Sequence, residues 1–376
     1  MIGGGYNSFI GPVHRMAMTL DGQAELVAGV FSSKPERSRE FGRTLYLDPS
    51  RVHGTTEELL HHELSLPPEK RIDFVTICTP NYAHYDAVCA CLDAGFHVVC
   101  DKPVTLTLEQ SYELEKRIAS TGRFFALTHN YTGYPMVKQA RHMVREGAVG
   151  AIHKVVVEYP QGWLVGMLTN HDSAINPWRM DPEKVGKASS MGDIGTHAEN
   201  LVRYITGLEI ERMCADLSAL VPSNPLEDDG NVLLRYKGGA RGVLIASQVS
   251  TGEENGFNIR VYGDKAGLRW YQENPNYLTV MDPSGYKTVY SKGNPVLCEA
   301  AQAAGRLPFG HPDGFIEAFA NLYLESFRGI RALIAGESLP PDLDVPGIRD
   351  GIMGMQFIET VVASGHSVEK WTSWVR

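Results

Sequence analysis

The sequence predicts a parallel α/β domain over residues 1–130, followed by an α+β domain over 131–376 with a large open mixed or antiparallel sheet. Three observations carry this. Apolar, β-branched runs at 72–78, 97–100 and 124–128 alternate with helical stretches, and each run stops at polar residues. Strands alternating with helices imply a parallel sheet buried on both faces. Near residue 130 the rhythm changes. Runs at 152–159, 213–221, 231–236, 240–250, 257–263, 267–272 and 277–281 alternate apolar with polar residues and are separated by turns such as Lys237-Gly238-Gly239. Such alternation suits strands with one exposed face. Two long amphipathic stretches, 313–335 and 345–364, close the chain, and the last is expected to pack back on the first domain.

Composition narrows the function classes. The 376 residues are 43% hydrophobic and 21% charged, enough apolar matter for two cores and too much for a disordered chain. A net charge of -9 argues against a nucleic-acid binder, which would present a basic face. No apolar run approaches the ~20 residues that span a bilayer, and no basic segment leads into an apolar core at the N-terminus, so neither a membrane segment nor a signal peptide is expected. The six cysteines (78, 89, 91, 100, 214, 298) form no C-x-x-C pair and suit a reducing, cytoplasmic setting.

Taken in order, the chain opens on Met1-Ile2 and runs straight into Gly3-Gly4-Gly5-Tyr6-Asn7-Ser8-Phe9-Ile10-Gly11. A helical pattern follows, then an apolar run at 25–31. Glycine turn, helix, strand is the order that opens a dinucleotide-binding βαβ unit. Two departures stand out: the strand before the glycines is nearly absent, as if the start were clipped, and Gly11 comes six residues after Gly5 rather than three. Phe9 and Ile10 lie in this loop and are placed with the cofactor contacts. Where NAD-binding chains commonly carry an acid on the ribose, Ser32 and Ser33 stand here, with Lys34 and Arg37 behind them. Hydroxyls and cations would accept a 2′-phosphate, which favours NADP, with NAD as the alternative; they also suit an ordinary solvated helix start. The run at 72–78 ends at Thr79-Pro80-Asn81, with His84 one turn on. That at 97–100 ends at Asp101-Lys102-Pro103, and that at 124–128 at His129-Asn130-Tyr131. In open α/β sheets the carboxyl ends of the strands bind the ligand, so these three clusters are expected on one rim.

A second polar cluster, Met191-Gly192-Asp193-Ile194-Gly195-Thr196-His197, precedes an apolar helical pattern. Four residues apart, Asp193 and His197 would share a helix face. An acid at a helix start also serves as a plain cap, and a histidine one turn in is often structural. Trp178-Arg179 nearby suits contacts to a polyol ring. Tyr131, Tyr134, Trp163 and Asn176 could line the same pocket or simply pack.

In these pieces the chain resembles the glucose–fructose oxidoreductase/inositol dehydrogenase/rhizopine-catabolism family, Gfo/Idh/MocA. The matching residues are Gly3-x-Gly5, Thr79-Pro80-Asn81 with His84, Asp101-Lys102-Pro103 at the place of the family's E-K-P, Trp178-Arg179, and Gly192 to His197, in the family's order across most of the chain. The resemblance implies an N-terminal Rossmann domain and a C-terminal domain whose open sheet mediates a homodimer or homotetramer. It implies NAD(P)-dependent hydride transfer on a sugar or cyclitol hydroxyl. It places Lys102, Asp193 and His197 as the catalytic trio, and Gly3, Gly5, Thr79, Pro80, Asn81, His84, Asp101, Lys102 and Asn130 with the cofactor, beside Ser32, Ser33 and Arg37. Substrate contacts fall to Tyr131, Trp163, Trp178, Arg179, Asp193 and His197, and no metal is expected. Asp101 for Glu, the stretched glycine loop and Ala188-Ser189-Ser190 depart from the pattern.

Chemically, a histidine suits the proton step of alcohol oxidation and a lysine suits developing alkoxide charge. A nicotinamide-sensing regulatory protein of the same fold would need no such trio. A metal hydrolase would need ligand spacing that His14, His53, His61, His62 and His171 lack, with His61-His62 read as an exposed helix pair.

Overall fold

Burial on both faces makes a parallel strand mostly apolar and leaves its ends for polar residues. β1 (Ile2–Gly3), β2 (Phe74–Cys78), β3 (His97–Cys100) and β4 (Phe125–Leu127) form a sheet in the order β1-β2-β3-β4, parallel throughout. Val75, Ile77, Val98, Val99 and Cys100 are buried almost completely. Each such Val or Ile contributes about 1.5–3 kcal/mol relative to exposure. Beyond β1, single parallel bridges join Ile2 to Val30 and Gly29 to Val52. The order from residue 52 through 30 to β1 and on to β4 is that of a doubly wound dinucleotide-binding sheet. The strand expected over 25–31 is thus reduced to bridges, because the two-residue β1 offers it little edge to pair with.

The computed structural model describes residues 1–168 and 177–375. These divide into two units, one of Met1–Asn130 with Phe319–Ile352, the other of Tyr131–Ala318 with Met353–Arg376. In the first, helices Ile10–Thr19, Pro35–Thr44, Thr56–Ser65, His84–Asp93 and Leu108–Thr121 link the strands. The last of these starts at a reciprocal capping box between Thr107 and Gln110 and stops at Gly122 in the left-handed conformation, as its sequence predicts. Tyr323 and Phe327, from the helix Phe315–Ile334, pack their rings against Phe74.

The second unit is built on a nine-stranded sheet. In chain order its strands are β5 (Ile152–Pro160), β6 (Ile210–Ser218), β7 (Asp229–Tyr236), β8 (Arg241–Ser247), β9 (Asn258–Gly263), β10 (Gly267–Tyr271), β11 (Tyr277–Met281), β12 (Lys287–Ser291) and β13 (Thr372–Ser373). Their spatial order is β12-β11-β10-β9-β5-β8-β7-β6-β13, and only β5 and β8 run parallel. The two strands the sequence reading lacks, β12 and β13, are the sheet's edges. Edge strands are short and half-solvated, so they carry no buried face to read. Along β5 burial alternates through Val155, Val157 and Tyr159, and the helix Thr196–Thr206 packs on that face. Among the described residues no helix is long and apolar enough to cross a membrane.

Candidate active site

Register places the polar strand ends of the first unit together. Gly3 pairs with Cys78, Ile77 with Cys100, and Cys100 with Leu127. Thr79, Asp101-Lys102 and Thr128 therefore leave the sheet on one rim, beside the glycine loop. That loop resolves the late glycine. A Cβ on Gly11 would lie 2.4 Å from the Gly4 Cα, and one on Gly5 would lie 2.1 Å from the Phe31 carbonyl oxygen. Gly11 thus does the close-packing work of a third motif glycine, while the longer loop bulges through Tyr6 and Asn7, the latter at φ 64. Two side chains the sequence reading left aside hold the loop. Arg15 donates to the Gly4 carbonyl at 2.8 Å, and Ser8 Oγ accepts from the Gly11 N–H at 3.0 Å. Tyr6 packs edge-on to Phe41, and the Arg37 guanidinium lies 5.7 Å from the Tyr6 ring. Phe9 is largely exposed, Ile10 half-buried. Ser32 Oγ accepts from the Lys34 N–H at 3.1 Å, and Ser33 is exposed.

His84 is buried. Its Nδ1 lies 2.7 Å from the Pro103 carbonyl oxygen and its Nε2 2.9 Å from that of Thr79. Burial pushes the imidazole below its ordinary pKa despite Asp101 and these carbonyls. Both ring nitrogens face backbone, so the residue braces the turns that carry Thr79, Pro80 and Asn81 on one side and Lys102 on the other. Asp101 Oδ1 accepts from the Lys102 N–H and from Thr128 Oγ1, each at 2.9 Å. Thr79 Oγ1 and Asn130 Nδ2 are buried with no hydrogen-bond partner among the described residues. Leaving such groups unmade costs about 1–3 kcal/mol each. Polar groups at strand ends beside a glycine loop and a helix N-terminus fit a dinucleotide: phosphates suit the start of the helix Ile10–Thr19, and the orphaned groups suit its amides and hydroxyls.

In the second unit, Met191–Gly195 forms a π-helical turn, closed by Thr196 N–H to the Met191 carbonyl, that runs directly into the helix Thr196–Thr206. The expected helical pairing of Asp193 with His197 thus starts from a wider turn, a form frequent at functional sites. Asp193 Oδ2 accepts from Gln248 Nε2 at 3.0 Å and lies 3.4 Å from Arg179 Nη1. The Arg179 guanidinium stands 5.0 Å from the Trp178 ring and 5.9 Å from that of Trp163. His197 is 8% exposed, its ring perpendicular to Tyr131 at 4.9 Å. Tyr131 is buried and its hydroxyl meets that of Tyr159, which donates to Asn255 Oδ1 at 2.9 Å. Tyr159 stacks on Phe257 at 4.4 Å, and Tyr134 packs against Trp270. Tyr131 therefore belongs to an aromatic wall behind His197. Gln248, Asn255 and Tyr159 carry no signal in the sequence, since isolated polar residues in strands and turns are ordinary. Asn176 and His171 lie outside the described residues.

Behind the π turn, Glu227 Oε1 accepts from the backbone N–H groups of Ser189 and Met191, both at 2.9 Å. Burial, helped by the neighbouring Asp228 charge, pushes this carboxyl up to about 7 from 4.5, although the two N–H groups pull the other way. In the folded chain the proton is thus held to higher pH than in the unfolded one. The resulting stabilisation is present below pH 4.5 and is lost as the pH rises through about 7. We expect the stability of Glu227→Gln, relative to wild type, to rise by about 3 kcal/mol between pH 4.5 and 8. Urea denaturation at stepped pH checks this, and a pH-independent difference would contradict it.

Known proteins share both folds of this chain. Residues 1–129 match the oxidoreductase family with an NAD-binding Rossmann fold, and 137–269 match the GFO/IDH/MocA C-terminal domain. The chain is 33% identical over 380 residues to the uncharacterized oxidoreductase YfiI of Bacillus subtilis, covering 100% of this chain and 96% of that one. It is 26% identical over 336 residues to levoglucosan dehydrogenase of Pseudarthrobacter phenanthrenivorans, covering 82% and 81%. An inositol dehydrogenase homolog from Azotobacter vinelandii, solved with NADH and myo-inositol, superposes with a TM-score of 0.93 at 34% identity, covering 100% and 96%. On its motifs, its two folds and these matches, the chain belongs to the GFO/IDH/MocA family of oxidoreductases with an NAD-binding Rossmann domain.

Proposed function

We propose that this protein moves a hydride between a nicotinamide dinucleotide and a secondary hydroxyl or ketone of a sugar or a cyclitol such as inositol. The observation that carries the reading is the rim of the first unit, where Thr79, Lys102 and Asn130 leave three adjacent strands beside a glycine loop. The ring-shaped polyols named for the relatives support the substrate class. So does the grouping of Asp193, Gln248 and Arg179 with the faces of Trp163 and Trp178, since carboxylate, amide and guanidinium groups grip hydroxyls while indoles cover ring faces.

Gly3, Gly5, Phe9, Ile10, Thr79, Pro80, Asn81 and Asn130 would hold the dinucleotide, with His84 and Asp101 fixing the turns that carry them. Bound there, the nicotinamide supplies the hydride acceptor or donor. The protein's work is charge and position. His197 takes the hydroxyl proton on oxidation and returns it on reduction, histidine being the side chain suited to that exchange near neutral pH. Asp193, held by Gln248 and Arg179, orients the reacting group. Lys102 stabilises negative charge on the substrate oxygen. Tyr131 backs the His197 ring.

At the adenosine ribose, residues 31–35 include no carboxylate to repel a 2′-phosphate, while Ser32, Ser33, Lys34 and Arg37 offer hydroxyls and cations. We propose that NADP is preferred over NAD. A fluorescence titration decides it: NADPH is expected to bind more tightly, and much tighter binding of NADH would reverse the preference. With the preferred cofactor, inositols, inososes and aldoses are screened for turnover. Single-turnover hydride transfer is then expected to fall about 10²–10⁴-fold in His197→Ala and by a comparable factor in Lys102→Ala. Folded variants that keep wild-type rates would remove these residues from the mechanism.

The sheet face away from the helix Thr196–Thr206 carries the register row Leu233, Val243, Val156, Arg260, Arg269 and Thr279 across six strands. We propose that copies of the chain associate through it as a homodimer or homotetramer. Light scattering is expected to return the mass of two or four chains, and a single-chain mass at assay concentration would refute the assembly.

A further inference from the structure

A buried polar chain runs behind Lys102. His14, on the helix Ile10–Thr19, is fully buried between the apolar neighbours Val13 and Ala17. Its Nδ1 lies 2.7 Å from Tyr323 Oη, which lies 3.1 Å from Thr76 Oγ1 on β2. Its Nε2 faces Asp101 Oδ2 at 4.0 Å, an ion-pair distance longer than a hydrogen bond. The other oxygen of Asp101 is the one that takes the Lys102 N–H and the Thr128 hydroxyl. Thr76 and Tyr323 thus reach the Asp101 carboxylate through His14, and that carboxylate holds the backbone of Lys102.

Proton positions follow from the neighbours. Burial keeps Tyr323 a phenol, with one proton to donate. If it donates to His14 Nδ1, the imidazole proton sits on Nε2 and points at Asp101. The opposite tautomer would turn a ring lone pair towards a carboxylate, which electrostatics disfavours. Burial alone would raise the Asp101 pKa, but His14, then Lys102 and His84, hold it well below the usual carboxylate range. The aspartate stays charged and its orientation stays set. On the far side of the same turn, His84 holds the Pro103 carbonyl. An apolar side chain at position 14 would pack at lower cost than a histidine whose two ring nitrogens both need polar partners.

We propose that His14 is a positioning residue for Lys102: through Asp101 it sets the direction of the turn from which the lysine reaches the substrate oxygen. The proposal rests on the reading of Lys102 given above. It differs from simple packing because the effect must travel through Asp101 and must need an N–H donor at position 14.

The test compares His14→Leu, His14→Gln, Tyr323→Phe, Asp101→Asn and the double variant His14→Leu/Asp101→Asn, with Lys102→Ala as reference. Turnover, dinucleotide Kd and hydrogen exchange of the Lys102 amide without cofactor are measured on each. In His14→Leu, kcat is expected to fall about 10²-fold, the cost of a misplaced catalytic group, with any rise in dinucleotide Kd smaller than that fall. The Lys102 amide is expected to exchange faster. His14→Gln, which keeps a donor, should recover most of both effects, and Tyr323→Phe should show an intermediate loss even if His14→Leu does not fold. The double variant should be no worse than the more damaged single one. Wild-type kcat and Lys102 exchange in His14→Leu or Tyr323→Phe, or additive losses in the double variant, would overturn the proposal. Wild-type turnover in Lys102→Ala would instead overturn the reading of Lys102.

Discussion

The in-phase ending of four parallel strands is the constraint on which the first unit depends. Val75, Ile77, Val98 and Val99 are sealed from water, so the strands can present polar groups to a ligand where they stop. The pairing of Ile77 with Cys100 and of Cys100 with Leu127 makes them stop together. Side chains then tie these turns together: His84 sits between the Thr79 and Pro103 carbonyls, and Asp101 takes the Lys102 N–H. A catalytic group on such a turn gains precision from rigid neighbours rather than from its own short loop, which is what orientation requires.

The second unit solves the same problem with other means. Asp193 and His197 sit where a π-helical turn meets a regular helix, and the backbone entering that turn hangs on the buried Glu227 carboxyl group. Tyr131, Tyr159 and Phe257 form a packed aromatic support behind His197, anchored at the wet end by Asn255. Aromatic side chains give large rigid area for few rotatable bonds, and their hydroxyls find partners even when buried. The arrangement places Asp193 and His197 on a firm base while leaving Arg179, Trp163 and Trp178 beside Asp193 only partly covered.

Much of this was legible in the chain itself. The apolar runs ending in Thr79-Pro80-Asn81, in Asp101-Lys102-Pro103 and at Asn130 announced a parallel sheet with a polar rim, because a run buried on both faces can only be broken by polar residues at its ends. The alternation from 152 onward announced the second sheet, since one covered face imposes a period of two. Thr107 with Gln110, and Gly122, marked a helix by chemistry that is entirely local. Local or periodic signals of this kind survive in one dimension.

What only tertiary structure decided is every contact between residues far apart in sequence. The late Gly11 turned out to pack on Gly4, which no spacing rule conveys because the bulge at Tyr6 and Asn7 absorbs the extra residues. His14, unremarkable in the sequence beyond its lack of metal-ligand spacing, acquired Tyr323 from 309 positions away and Asp101 from the next strand end but one. Gln248, Asn255 and Glu227 gained their roles from the same kind of encounter. Residue type and order determined which chemistry was available and where each strand would end. Folding decided which side chains serve that chemistry and which hold it in place, because hydrogen bonds and close packing act over a few ångströms of space and not along the chain.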